Sequence, residues 1–197
     1  MGVSKLLPKE NNQQTDRKVL IKQSALKIFA LNGYKNTKTS VIATEANVSE
    51  GLIFRHFQSK AELFFQIIEG LMIESQSELS TLHFFQGTPY QLLELLTEKM
   101  LDENHKYAFM IIQQARKNTE VPEKVTELLS KYSPDYLIDL LIPIFVKGQE
   151  SGEFLNEDPR KILVWYFNVI NSLTIQDLVD NKFGLPTTDF LMKMLKA

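Results

Sequence analysis

The side chains of this chain best suited to recognition chemistry fall between Thr37 and Lys60. Thr39, Ser40, Ser49, Glu50, Arg55, His56 and Lys60 offer hydroxyl, carboxylate, guanidinium, imidazole and ammonium groups within two short amphipathic segments. Such a set can hydrogen-bond to phosphates and base edges, but it does not compose a catalytic centre. The remaining sequence offers little other chemistry. His56, His83 and His105 have no metal-ligand spacing, cysteine is absent, and there is neither a phosphate-binding glycine loop nor a nucleophile elbow. These features predict no enzyme activity, no metal and no cofactor.

Elements of suitable geometry must hold the polar set in place. Ile42, Ala43, Ala46, Val48, Ile53 and Phe57 are spaced to form one small core shared by helices at about Thr39–Ala46 and Glu50–Phe57. Asn47 falls in the intervening turn, where a positive φ is expected and asparagine tolerates it. Ser49 is placed to cap the second helix. Glu50, Gly51, Leu52, Phe54, Arg55 and His56 then lie on or near its outward face, and a helix presented in this way fits a major groove.

Charge supports that direction. The formal net charge is only −2, yet residues 1–60 carry +6 and the remainder −8. A basic head on an acidic body lets one end meet an anionic polymer while the other stays solvated.

The rest of the sequence reads as helices. The first is expected over Asp16–Asn32, with Ile21, Ala25, Ile28 and Phe29 on one face and Gly33 as its stop. Longer ones follow at about Lys60–Leu79, Pro89–Glu103, His105–Lys117, Pro122–Glu150, Asp158–Asp180 and Thr188–Lys196. Pro134 and Pro143 must kink or split the segment Pro122–Glu150. The expected organisation is all-α: a mobile polar tail over 1–15, a helix-turn-helix domain over 16–60, and a larger helical bundle over 61–197. Neither a signal peptide nor an apolar run of membrane-spanning length is seen, which with the lack of cysteine predicts a cytoplasmic protein that meets no membrane.

The order of these features resembles the TetR family of bacterial regulators. The resemblance covers about Arg17 to Leu63: the run Ala25 to Tyr34, then Thr37, Ile42-Ala43, Glu45 to Ser49, Gly51, Phe57 and Ser59-Lys60. Beyond it, Gly148 to Phe154 with Asp158-Pro159 looks like a turn that precedes the family's dimerising helix. The resemblance implies a sequence-specific DNA-binding regulator, a repressor released from a near-palindromic operator by a small lipophilic or aromatic ligand. It places Thr39, Ser40, Glu50, Gly51, Leu52, Phe54, Arg55, His56 and Lys60 against DNA, with Ser49 at the helix start. Thr39, His56 and Lys60 are assigned to phosphates, Arg55 to a guanine, and Ser40, Glu50 and Leu52 to base edges. Asn47 departs from the family's usual glycine, and Leu52-Ile53-Phe54 from its Thr-Leu-Tyr, so two hydroxyls are missing from the expected DNA face.

In the body, Ile162 to Leu178 is apolar nearly all round and needs partners on several sides. A homodimer interface is predicted from Ile162, Tyr166, Val169 and Leu173 together with Phe190 and Met194 on the last helix. Aromatic and methionine residues near isolated amides nominate a ligand pocket: Met72, Met100, Tyr107, Met110, Gln114, Tyr136, Trp165, Asn168 and Asn171. The alternative is a DNA-binding dimer whose body recruits a protein and senses no small molecule.

Overall fold

The computed structural model describes residues 9–117, 120–133, 135–180 and 184–197. The expected tail over 1–8 and Pro134 lie outside them. Among the described residues the chain is helical, with a single isolated antiparallel bridge between Phe154 and Lys196. None of these helices is long and apolar enough to cross a membrane.

Two compact units are present. The first takes the chain up to Gly70 together with Ile111–Thr126, and the second takes Leu71–Met110 and Glu127–Ala197. The divide therefore falls inside helices, rather than at Lys60.

The first unit begins with α1 (Lys9–Asn36), which starts seven residues earlier than expected and claims part of the supposed tail. Its Ile21, Ala25, Ile28 and Phe29 are buried, and Gly33 breaks it with φ 76° and ψ 162°, a backbone state open to glycine. α2 (Thr39–Glu45) and α3 (Glu50–His56) follow. The first turns of α4 (Lys60–Thr81) belong to the same unit because Leu63, Phe64, Ile67 and Ile68 are buried in it. The Phe64 ring meets Phe29 edge-on at 4.9 Å, and the Tyr34 ring packs on Phe64 at 4.9 Å.

In the second unit, α5 (Pro89–Leu101) starts where Gly87-Thr88-Pro89 signalled. Thr88 and Gln91 form a reciprocal capping box there, with Pro89 in the first turn. α6 (Glu103–Lys117) and α7 (Glu123–Ser130) each span the divide between units. The expected Pro122–Glu150 segment is thus two helices, α7 and α8 (Tyr136–Glu150). Pro143 sits inside α8 without ending it, and is exposed, so the carbonyl it leaves unpaired can meet water.

Gly148 has a steric reason: a Cβ there would stand 2.2 Å from the Phe154 ring. Phe154 instead stacks on Phe145 at 4.6 Å and fills the core. The Glu153 carboxylate then accepts from Tyr90 N at 2.9 Å at the start of α5.

α8 packs along α9 (Pro159–Asp180), and α5 packs against α8, α9 and α10 (Thr188–Met192). The last helix is shorter than predicted, because the terminal residues pair with the α8–α9 turn. Leu155 N donates to Leu195 O at 3.0 Å, and Ala197 N to Glu153 O at 3.4 Å.

Candidate nucleic-acid interface

α2 and α3 are joined by a turn whose backbone explains its sequence. Val48 N donates to Ala43 O at 2.9 Å and Asn47 N to Thr44 O at 3.1 Å, which requires Asn47 at φ 50°. Ser49 Oγ accepts from Leu52 N at 3.2 Å and caps α3 as expected. Ile42, Ala43, Ala46, Ile53 and Phe57 are all buried, while Val48 is half-buried.

That core turns the other face of α3 outward. Glu50, Gly51, Phe54 and Arg55 are exposed, Leu52 and His56 half-buried, and Ser40 is exposed on α2. Phe54 keeps 48% of its surface in solvent. A Cβ added at Gly51 would meet nothing within 4 Å, so the space outside that backbone is open to a partner.

Of the three residues expected at phosphates, two are engaged within the fold and the third has a buried ring nitrogen. Thr39 Oγ1 donates to Glu50 Oε1 at 2.5 Å, tying the start of α2 to the start of α3. His56 Nε2 is buried and has no hydrogen-bond partner in the structure. Burial first, and then the charges of Arg55, Lys18 and Arg17, hold its pKa below the ordinary 6.5, so the ring is neutral at pH 7. Its Nε2 is closed off from solvent, and so from the phosphate contact that the resemblance implies.

Lys60 is a further correction. Its Nζ donates to the carbonyls of Tyr34 at 2.9 Å, Lys35 at 3.3 Å and Thr37 at 3.0 Å, and stands 4.5 Å from the Tyr34 ring centroid. An ammonium has three protons, and all three meet carbonyls where α1 ends and the chain turns to α2. Burial lowers its pKa as well. Lys60 is a clamp inside the first unit rather than a free cation.

Cations overlooked in sequence stand nearby. Arg17 and Lys18, more than two turns into α1, act on His56, and the Lys18 ammonium lies 5.5 Å from the Phe57 ring centroid. Lys38, just before α2, is exposed. Their signal in the sequence is the +6 of the head.

Comparison with known proteins agrees with this geometry. Residues 21–67 match the model of the family described as bacterial regulatory proteins, tetR family. An HTH-type transcriptional regulator of Bacillus subtilis, YhgD, is 31% identical over 158 residues, covering 74% of this chain and 75% of its own. The chain belongs to the tetR family. It is therefore a DNA-binding transcriptional regulator and not an enzyme. The fatty acid metabolism regulator protein of the same organism is 26% identical over 179 residues, covering 88% of this chain and 90% of its own. The crystal structure of FadR from Bacillus subtilis in complex with stearoyl-CoA shares the fold, with a TM-score of 0.60 and 23% identity over 91% of this chain and 97% of that one.

The residues nominated for a pocket in this tetR-family regulator differ widely in exposure. Met72 and Met110 are buried, and Met100, Tyr107 and Asn171 half-buried. Gln114 Nε2 donates to Ala30 O at 2.8 Å, so its amide is satisfied within the first unit. Trp165 is 60% exposed, and Asn168 and Tyr136 are also exposed, which removes all three from any closed cavity. A groove of about 160 Å³ lies elsewhere, where the end of α4 faces α5. Leu79, Leu82, Phe85, Leu95 and Leu96 line it, with the Glu78–Lys99 ion pair (3.3 Å) at its wall, and none of the nominated residues takes part.

One residue of the predicted interface is taken up by the core instead. Tyr166 is buried in its own protomer, its hydroxyl 2.7 Å from Thr97 Oγ1 and 3.3 Å from Met192 Sδ, with burial raising its pKa to about 12. It has no surface left for a second subunit. Phe190 and Met194 are exposed, but α10 packs chiefly on α5. The helix beside α9 is α8. Ile162, Trp165, Val169 and Leu173 form one partly exposed apolar stripe on α9, and Arg160 pairs with Asp139 across to α8.

Proposed function

We propose that this regulator is a cytoplasmic, homodimeric repressor that grips a near-palindromic operator with α3 and releases it when a small lipophilic ligand binds the body. The observation that carries the reading is the outward face of α3, open at Gly51 and bearing Arg55, on a scaffold locked by Asn47 and Ser49. Arg55 suits a bidentate contact to guanine, Leu52 suits a thymine methyl, and Ser40 suits a nearby base or phosphate. Phe54 packs against sugar. Lys38, Arg17 and Lys18 supply the phosphate contacts expected of His56 and Lys60.

The α9 stripe with its neighbour α8 forms the two-fold interface, and pairing two heads demands two half-sites about one DNA turn apart. A lipophilic ligand is favoured by the relative named for fatty acid metabolism and by the stearoyl-CoA in the similar FadR structure. The apolar groove beside α4 seats only part of such a molecule, since full pockets for drug-sized ligands are roughly 300–1,000 Å³.

Thermal melting against free fatty acids, acyl-CoA esters and aromatic lipophiles tests the sensing half of this proposal. A saturable rise in melting temperature with one class, and loss of operator binding at the same concentrations, is expected. If no class shifts the melt, the body dimerises or recruits a protein instead.

A further inference from the structure

A carboxylate on the DNA face of a basic head is at odds with its surroundings. Glu50 is exposed at the first position of α3, where it would face a polyanion. At a helix start it gains from the helix dipole, but that gain needs no partner from another helix. The structure nevertheless supplies one, as Thr39 Oγ1 donates to Glu50 Oε1 at 2.5 Å across eleven residues of sequence.

A hydroxyl has one proton, so Thr39 cannot donate to Glu50 and to a phosphate at once. A carboxylate is acceptor-only with about four lone-pair sites, so Oε2 stays able to accept while Oε1 is held. In the major groove the group that donates to a carboxylate most directly is the N4 amino group of cytosine. Such a contact is the favourable use of a negative side chain there, because against a phosphate, or against the acceptor edge of a guanine, Glu50 is repelled.

We infer that Glu50 is a specificity-determining residue that reads one cytosine in each half-site, and that Thr39 is the positioning residue that fixes its carboxylate for that purpose. The inference rests on α3 being the DNA-contacting helix. It changes the role of Thr39 from phosphate ligand to orienter. It also narrows the base-edge contact implied for Glu50 to a single base, cytosine.

Selection of bound duplexes from a randomised pool, with the full-length protein and its Glu50→Gln, Thr39→Val and Thr39→Ser variants, tests it. Wild type is expected to enrich one consensus with a cytosine favoured roughly tenfold at one position per half-site. Glu50→Gln should replace that cytosine with adenine, the base that an amide pairs with at N6 and N7, and leave other positions alone. Thr39→Val should flatten the same position only, and Thr39→Ser should restore it. Both residues lie at the surface, and unchanged melting temperatures will verify that the variants fold.

An unchanged consensus with Glu50→Gln overturns the inference while leaving α3 as the DNA-contacting helix. So does a Thr39→Val variant that weakens every sequence equally and lowers the salt slope, which is the behaviour of a phosphate ligand. If wild type enriches no consensus, the reading of α3 fails, and this inference with it.

Discussion

Replacing Lys60 by methionine keeps the aliphatic stem and removes only the ammonium, so it isolates the clamp. Three carbonyls, of Tyr34, Lys35 and Thr37, then lose their donor, and the Tyr34 ring loses its cation. Hydrogen bonds to a charged group contribute about 1.5–3 kcal/mol each when buried. Lys60 is only half-buried, water can reach part of the vacated site, and its three bonds share one charge. We therefore expect a net loss of about 2 kcal/mol, including roughly 0.5–1 kcal/mol from the cation–π contact. For a chain of this size that lowers the melting temperature by about 4–8 °C.

Differential scanning calorimetry reads that shift, and operator titrations between low and moderate salt read the second consequence. A clamp contributes no phosphate contact, so the slope of log K against log salt should stay at the wild-type value. Lys60→Arg should fail to restore stability, because a planar guanidinium fork cannot aim at three convergent carbonyls. A Lys60→Met variant that melts like wild type while the slope falls by about 0.9, the signature of one lost phosphate contact, would mean that Lys60 binds DNA and is no clamp.

Gly148→Ala forces a methyl to within 2.2 Å of the Phe154 ring and should cost about 1–3 kcal/mol in a urea titration. Because the folded-state pKa of His56 lies below its ordinary 6.5, the native state binds fewer protons than the unfolded chain between those values. Stability is therefore complete above pH 6.5 and declines as pH falls below it, and His56→Gln should remove that part of the decline in urea titrations at pH 7.5 and 5.5. On α9, Trp165→Asp should turn the dimer into monomer by light scattering and weaken operator binding, while Phe190→Ser on α10 should leave the dimer intact. The opposite pattern returns the interface to the last helix.

The local chemistry of the head was legible because each signal acts over a few residues. Asn47 declares a positive φ, Ser49 a helix cap, and Ile42, Ala43, Ile53 and Phe57 a shared face. Gly87-Thr88-Pro89 likewise announced the start of α5. What was missed depends on partners distant in sequence. The carbonyls that take up Lys60 lie more than twenty residues upstream, so a lysine beside a recognition helix looked like a phosphate ligand. Gln114 is satisfied by Ala30 O, a contact no periodicity reveals.

α9 shows the same limit from the other side. A helix apolar nearly all round states that it needs several partners but not which face meets which. Tyr166 was assigned to the interface and Trp165 to a pocket, whereas Tyr166 is core and Trp165 is on the surface. Only Thr97 and Met192, contributed by α5 and α10, decide between them.

Operator recognition by α3 is tested by recovering fragments of the organism's own genome bound by the purified protein, with salt dependence measured on the fragment held best. Enrichment of a near-palindrome with half-sites about one DNA turn apart is expected, with affinity that falls steeply with salt. Weak binding that is indifferent to sequence, or no binding, would contradict that recognition.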